Sequence, residues 1–156
     1  AQGVTGTLPN ANFSGGKVGQ VINAQQGFFE TNSTSFVDTG LTASITPSAT
    51  SSKILVLVNL SGGNSSDQAN TSLEARLLRD SSEILMIETI AGFSADSTPI
   101  GFGGTGCSYL DSPSSTSSLN FKVQISTATS GNVVIGNWHN GSDRAKSTIT
   151  LMEILA

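Results

Sequence analysis

The chain has 156 residues, of which 37% are hydrophobic and only 12% charged, and its formal net charge is −4. Its 7 Lys and Arg are scattered, so no basic stripe exists to neutralise phosphates, and no apolar run approaches the roughly 18 residues of a membrane-spanning helix. Nucleic-acid binding and membrane insertion are therefore not expected, and a single Cys excludes an internal disulfide framework and a Cys-rich zinc site.

Residues 1–16 (AQGVTGTLPNANFSGG) are rich in Gly and without periodicity, so they read as a linker or docking arm ahead of one domain over 17–156. They hold neither an initiator Met nor the basic and apolar regions of a leader, and a processed product or an excerpt of something longer is expected. Short apolar runs follow, separated by turn residues. KVGQVIN (17–23), GFFETN (27–32), SFVDTG (35–40) and LTASIT (41–46) come first. KILVLVNL (53–60) is apolar on both faces, with Ile54, Val56 and Val58 on one side and Leu55 and Leu57 on the other, so it is a central strand or lies at a subunit interface.

SGGNSSDQANTS (61–72) reads as a polar projecting loop. SLEARLLRD (72–80) and SEILMIETI (82–90) are long enough for helices, and LEARLL uses strong helix formers. A hairpin is favoured because Asp80-Ser81-Ser82 places a tight turn between them. AGFSADSTPIGFGGTG (91–106) is a second long loop, followed by CSYLD, LNFKVQIS, NVVIGNWHN and KSTITLMEIL as strands. Cys107 and Tyr109 are expected to pair with the strand bearing Phe121 and Val123, with Asp111-Ser112-Pro113 opening the bend and Asp111 accepting backbone N–H groups. About ten short strands at intervals of about 8–12 residues predict an all-β, antiparallel sandwich, with the jelly roll as the candidate.

No chemistry-bearing motif emerges. The 11 acids form no recognisable spaced pair, and no GxSxG elbow accompanies the sole His, His139. Cys107, flanked by apolar residues, reads as a buried thiol. No His pair or EF-hand pattern supports a metal, and GFGGTG (101–106) lacks the Lys and helix of a phosphate loop. No enzyme, cofactor or metal is expected. Six N-x-[ST] sequons occur, at Asn12, Asn32, Asn59, Asn64, Asn70 and Asn140, and follow from an Asn/Ser/Thr-rich composition.

Three segments carry a family resemblance. GVTGTLPNAN (3–12) resembles the linker that precedes head domains in tailed-bacteriophage fibre proteins, and TSFVDTGLTASITPSATSSKILVLVNLS (34–61) resembles the opening of such a domain. SYLDSPSSTSSLNFKVQ (108–124) and STITLMEILA (147–156) resemble its closing half and last strand. The resemblance implies a trimeric β-sandwich knob exposed on a virion, as a fibre tip or capsid knob, that attaches to the host surface or decorates the particle. Loops 61–72 and 91–106 match nothing in that family.

The residues alone agree with trimerisation. KILVLVNL, and STITLMEIL with Ile149 and Leu151 opposed by Met152 and Ile154, carry more apolar surface than one thin sandwich needs. Glu153 in that last strand then needs a partner, for which Arg76 or Lys146 is expected. Contacts to other virion proteins are expected through residues 1–16. Contact to a host-surface glycan is expected through the loops 61–72, 91–106 and 138–146, with Asn64, Asp67, Gln68, Asn70, Trp138, His139 and Asn140 as candidate ligand-binding residues. The alternatives are a capsid or tail decoration protein docked through its N-terminal arm and, less favoured, a glycan depolymerase.

Overall fold

The computed structural model describes residues 16–66, 69–136 and 145–155. Among them are twelve strands and no helix. The first half of the chain forms β1 (Lys17–Gln26), β2 (Phe29–Thr31), β3 (Val37–Ile45), β4 (Lys53–Leu60), β5 (Gly63–Ser66) and β6 (Thr71–Arg79). The second half forms β7 (Ser82–Ser94), β8 (Ile100–Phe102), β9 (Thr105–Asp111), β10 (Leu119–Thr127), β11 (Asn132–Ile135) and β12 (Ser147–Leu155).

Period-2 patterning explains most of them. In β10 the residues Leu119, Phe121, Val123 and Ile125 are buried while Asn120, Lys122 and Gln124 are half-buried on the other face. The hairpin over 72–90 is present: Arg79 pairs with Ser82, and Asp80 takes the turn with φ 57°, a left-handed conformation that Asp tolerates. The helix propensity of LEARLL is overridden because β6 is central in its sheet, paired with β10 on one side and β7 on the other.

Six of the nine strand pairings among the described residues follow one rule. β1 pairs with β12, β2 with β11, β3 with β10, β4 with β9, β5 with β8 and β6 with β7, all antiparallel. The chain is thus one long ribbon doubled back at Asp80-Ser81. Wrapping that ribbon yields two facing sheets, β1-β12-β4-β9 and β3-β10-β6-β7, and a smaller sheet β2-β11-β5-β8. The small sheet repeats the order of the first, since β2 and β5 continue β1 and β4 while β8 and β11 lead into β9 and β12. It is the first sheet folded over at a crease marked by Gly27, Gly62, Gly103, Gly104 and Gly136.

The core lies between the facing sheets, with Ile54, Val56, Ile149 and Leu151 from one and Leu41, Leu77, Phe121 and Val123 from the other, and with Val133 and Ile135 of the small sheet continuing it. The antiparallel β-sandwich expected from the sequence is therefore what the chain adopts.

The structure corrects four local expectations. SFVDTG and LTASIT form the single strand β3, because Gly40, at φ 84°, accommodates a bulge without ending the pairing with β10. Segments 61–72 and 91–106 are not plain loops, since β5 and β8 pair within them. Cys107–Ser126 is not a hairpin: β9 pairs with β4, placing Cys107 opposite Val58 and Tyr109 opposite Val56, whereas β10 lies in the facing sheet. The segment 112–118 crosses between sheets. Asp111, finally, is no turn acceptor, as described below.

Gly63 lies so close to Val134 of β11 that any Cβ would overlap the Val134 backbone. Gly63→Ala is expected to lose about 1–3 kcal/mol, the usual cost of overpacking. Amide-exchange protection should fall first at Val133–Ile135, and unchanged protection there would contradict this account.

Candidate interaction faces

Of the three loops expected to read a ligand, 61–72 and 91–106 lie together through paired strands, and 138–144 lies outside the described residues. β5 from 61–72 pairs with β8 from 91–106 and with β11, and the Ala145 N–H donates to the Gly136 carbonyl at 3.1 Å. Asn64 lies on β5 opposite Gly101 and Val134, and Asn70 is exposed with φ 62° and its N–H on the Ser94 carbonyl. Asp67, Gln68, Trp138, His139 and Asn140 lie outside the described residues.

Two carboxylates hold the far end of the sandwich, neither as expected. Glu153 is 1% exposed, and its donors are neutral. The Ser48 hydroxyl and backbone N–H each donate to Oε1 at 2.6 Å, and Gln20 Nε2 donates to Oε2 at 2.8 Å. The expectation of Arg76 or Lys146 is corrected. Arg76 instead pairs with Glu83 at 2.9 Å and lies over the Phe36 ring at 4.1 Å. Gln20 reaches Glu153 because a β-bulge between Val18 and Val21 turns it there, and it also caps the Thr46 carbonyl. The second carboxylate, Asp111, is 5% exposed and accepts from Arg79 Nη1 at both oxygens, at 2.8 and 2.7 Å. Asp111 is on β9 and Arg79 on β6, so the pair ties one sheet to the other.

The Ser48 and Gln20 hydrogen bonds outweigh burial and bring the Glu153 carboxyl down from 4.5 to about 2. A depressed carboxylate adds stability that is complete above its unfolded value and lost as pH falls towards the folded one. The denaturation midpoint should therefore drop between about pH 4.5 and pH 2. Glu153→Gln should cost about 1–3 kcal/mol at pH 7, from donors left unsatisfied, and should flatten that acid limb. Urea titrations of both proteins at pH 7, 4 and 2.5 test this, and parallel acid limbs would count against it.

The outer faces of the two main sheets differ in kind. On β3-β10-β6-β7 the groups of β3, β10 and β6 are polar and linked, whereas the edge strand β7 exposes Met86, Ile90 and Phe93: Lys122 and Gln124 donate to Asp38 at 2.9 and 2.7 Å, and Gln124 accepts from Arg76. Asn120 donates to Thr42 and Ser44 at 2.8 and 3.0 Å. The Lys122 and Gln124 hydrogen bonds hold the Asp38 carboxyl below its usual range.

On β1-β12-β4-β9 the outer face carries one apolar row beside polar ones, in which Asn23 donates to Thr150 at 2.8 Å and Asn59 and Ser108 are exposed. Val21 pairs with Met152, Met152 with Leu55 and Leu55 with Leu110, an unbroken row across all four strands. Val18 opposite Ile154 lies beside it, and the bulge puts Val18 and Val21 on one face although they are three apart in sequence. Val18, Val21 and Leu110 are half exposed, at 55%, 53% and 50%. This row is the two-sided apolar character of KILVLVNL and STITLMEIL in three dimensions.

Cys107, on the inward face of β9, packs against the core, and burial pushes its thiol up, away from the reactive thiolate. Among the described residues no group of acids, Cys or His is arranged to hold a metal.

No protein-family model and no curated protein matches the chain. Among solved structures it is similar to the infectious bursal disease virus VP2 subviral particle, at 13% identity and a TM-score of 0.41, covering 86% of this chain and 39% of that one. It is also similar to a structure of the Gx strain of the same virus, at 14% identity and a TM-score of 0.39, covering 89% and 37%. The chain thus spans well under half the length of these neighbours.

Proposed function

We propose that the chain is a non-enzymatic structural protein of a phage virion, a jelly-roll head whose copies associate as a homotrimer. It is displayed on the particle surface as a fibre-tip or knob domain that attaches to the host. The six nested strand pairs support the jelly-roll reading, since that is how a ribbon wraps into two Greek keys. The observation that carries the proposal is the apolar row Val21–Met152–Leu55–Leu110. An apolar stripe across a whole sheet face is costly in water, and a second copy of the same chain offers a matching one under cyclic symmetry. Facing the copies through this sheet turns the polar sheet and the loop-bearing end outward, where attachment takes place.

Sedimentation and native mass spectrometry of the purified chain test the assembly, and a monomer at 100 µM overturns it. Gold labelling on the capsid shell, lost when residues 1–16 are removed, would instead favour a decoration protein docked through that arm. Release of new reducing ends from host surface glycan would make the chain a depolymerase and sink the non-enzymatic reading.

A further inference from the structure

The polar sheet carries a depression that the strand alternation does not require. Between Lys122 and Gln124 of β10, the partners on β3 jump from Thr42 to Asp38, so Thr39, Gly40 and Leu41 bulge opposite Val123 alone. The Thr39 hydroxyl fastens the bulge, donating to the Val123 carbonyl at 2.9 Å and accepting from the Leu41 N–H at 3.1 Å. Gly40 is exposed, and its φ of 84° is a conformation that side-chain-bearing residues rarely adopt. The opening has a volume of about 320 Å³ and is lined by Asp38, Gly40, Thr42, Asn120 and Lys122 above the buried Leu41 and Val123. That volume lies at the small end of ligand pockets.

We propose that this depression is a binding site for one neutral sugar unit of a glycan. The Asp38–Lys122 pair, 2.9 Å apart, cancels its own charge, which removes the attraction an anionic ligand would need. What is left is mixed hydrogen-bonding capacity. Lys122 uses one N–H on Asp38 and has others to donate, the Asn120 side-chain oxygen can accept, and each Asp38 oxygen keeps a lone pair. Adjacent sugar hydroxyls each donate and accept, and they match such a set. The bulge is braced by Thr39 and the rim by the Asn120–Thr42–Ser44 bonds, so the site exists before a ligand arrives. Its lining lacks an aromatic ring for the sugar to stack on, and affinity per site is on the order of millimolar. Three outward-facing copies raise the avidity.

The inference rests on the attachment part of the proposed function but is tested separately, on the intact chain in solution. Methyl glycosides of glucose, galactose and mannose, N-acetylglucosamine, N-acetylneuraminic acid and inorganic phosphate are each titrated to 50 mM while amide resonances are followed. At least one neutral sugar should give saturable shifts at Gly40–Thr42 and Asn120–Lys122. Asp38→Ala and Thr42→Val, whose spectra report whether each still folds, should each weaken binding at least tenfold. Binding by N-acetylneuraminic acid or phosphate alone overturns the neutral assignment, and the absence of saturable shifts at these residues with every probe overturns the site. Either failure leaves the oligomer measurement, and so the assembly reading, intact.

Discussion

Leu55→Asp should convert the proposed trimer to monomers without unfolding the chain. Leu55 is the middle of the apolar row, between Met152 and Leu110. Burying a Leu side chain is worth about 2 kcal/mol, and closing a trimer does so three times, so the row's centre contributes roughly 6 kcal/mol per assembly. An Asp there adds the cost of desolvating three unpaired carboxylates facing one another. Sedimentation equilibrium should show at least 100-fold weaker association, with a far-UV spectrum and denaturation midpoint close to those of monomeric parent. Leu55→Met should keep the assembly, as should Glu83→Gln on the opposite sheet. A Leu55→Asp protein that remained trimeric would place the interface elsewhere.

Asp111→Ala is expected to be the most damaging single polar substitution. It leaves the Arg79 guanidinium half-buried without its counter-ion, and removing one partner of a buried pair costs about 3–5 kcal/mol. For a domain of ordinary stability, about 5–15 kcal/mol, that is a third or more of the total. Replacing both members, as Arg79→Met with Asp111→Leu, should recover most of the loss, because no charge is then stranded. Breaking the exposed Arg76–Glu83 pair by Glu83→Gln should cost no more than about 1 kcal/mol. Urea unfolding of the three variants measures these differences. A cost below about 1 kcal/mol for Asp111→Ala would mean that water screens the pair.

What could be read from the sequence tracks how local the determining physics is. KILVLVNL announced itself as a continuous apolar run and LNFKVQIS by its period-2 alternation, both carried by the strand's own side chains, and the β6–β7 hairpin because its turn lies within the segment. β5 and β8, spelled GNSS and IGF, have no such signal and are strands only because β11 and β4's continuation lie beside them. The supposed Cys107–Ser126 hairpin failed because neighbouring strands usually pair, whereas here the order of wrapping decides.

The site residues follow the same division. Nothing near Asp111 points to Arg79, 32 residues away, nor does Glu153 point to Ser48 and Gln20, 105 and 133 residues away. The depression at Gly40 was hidden because a Gly after Asp-Thr reads as the end of a strand. The apolar row was half visible: Leu55, Met152 and Ile154 could be picked out as surplus hydrophobes. Placing Val18 and Val21 beside them needed the bulge.

The nested pairing also orders events in time. Of the six nested pairs, only β6 and β7 are joined by a short turn. Each outer pair must close a longer span of chain, and that span shortens to a few residues once the pair inside it has formed. Folding should therefore zip outward from Asp80-Ser81, with φ-values highest at Leu77 and Leu85 and near zero at Ile22 and Leu151. The last partners to meet are Val21 and Met152, the edge of the apolar row. A chain that has stalled part-way lacks the surface through which the proposed trimer forms, so on that proposal association selects for molecules that have finished folding.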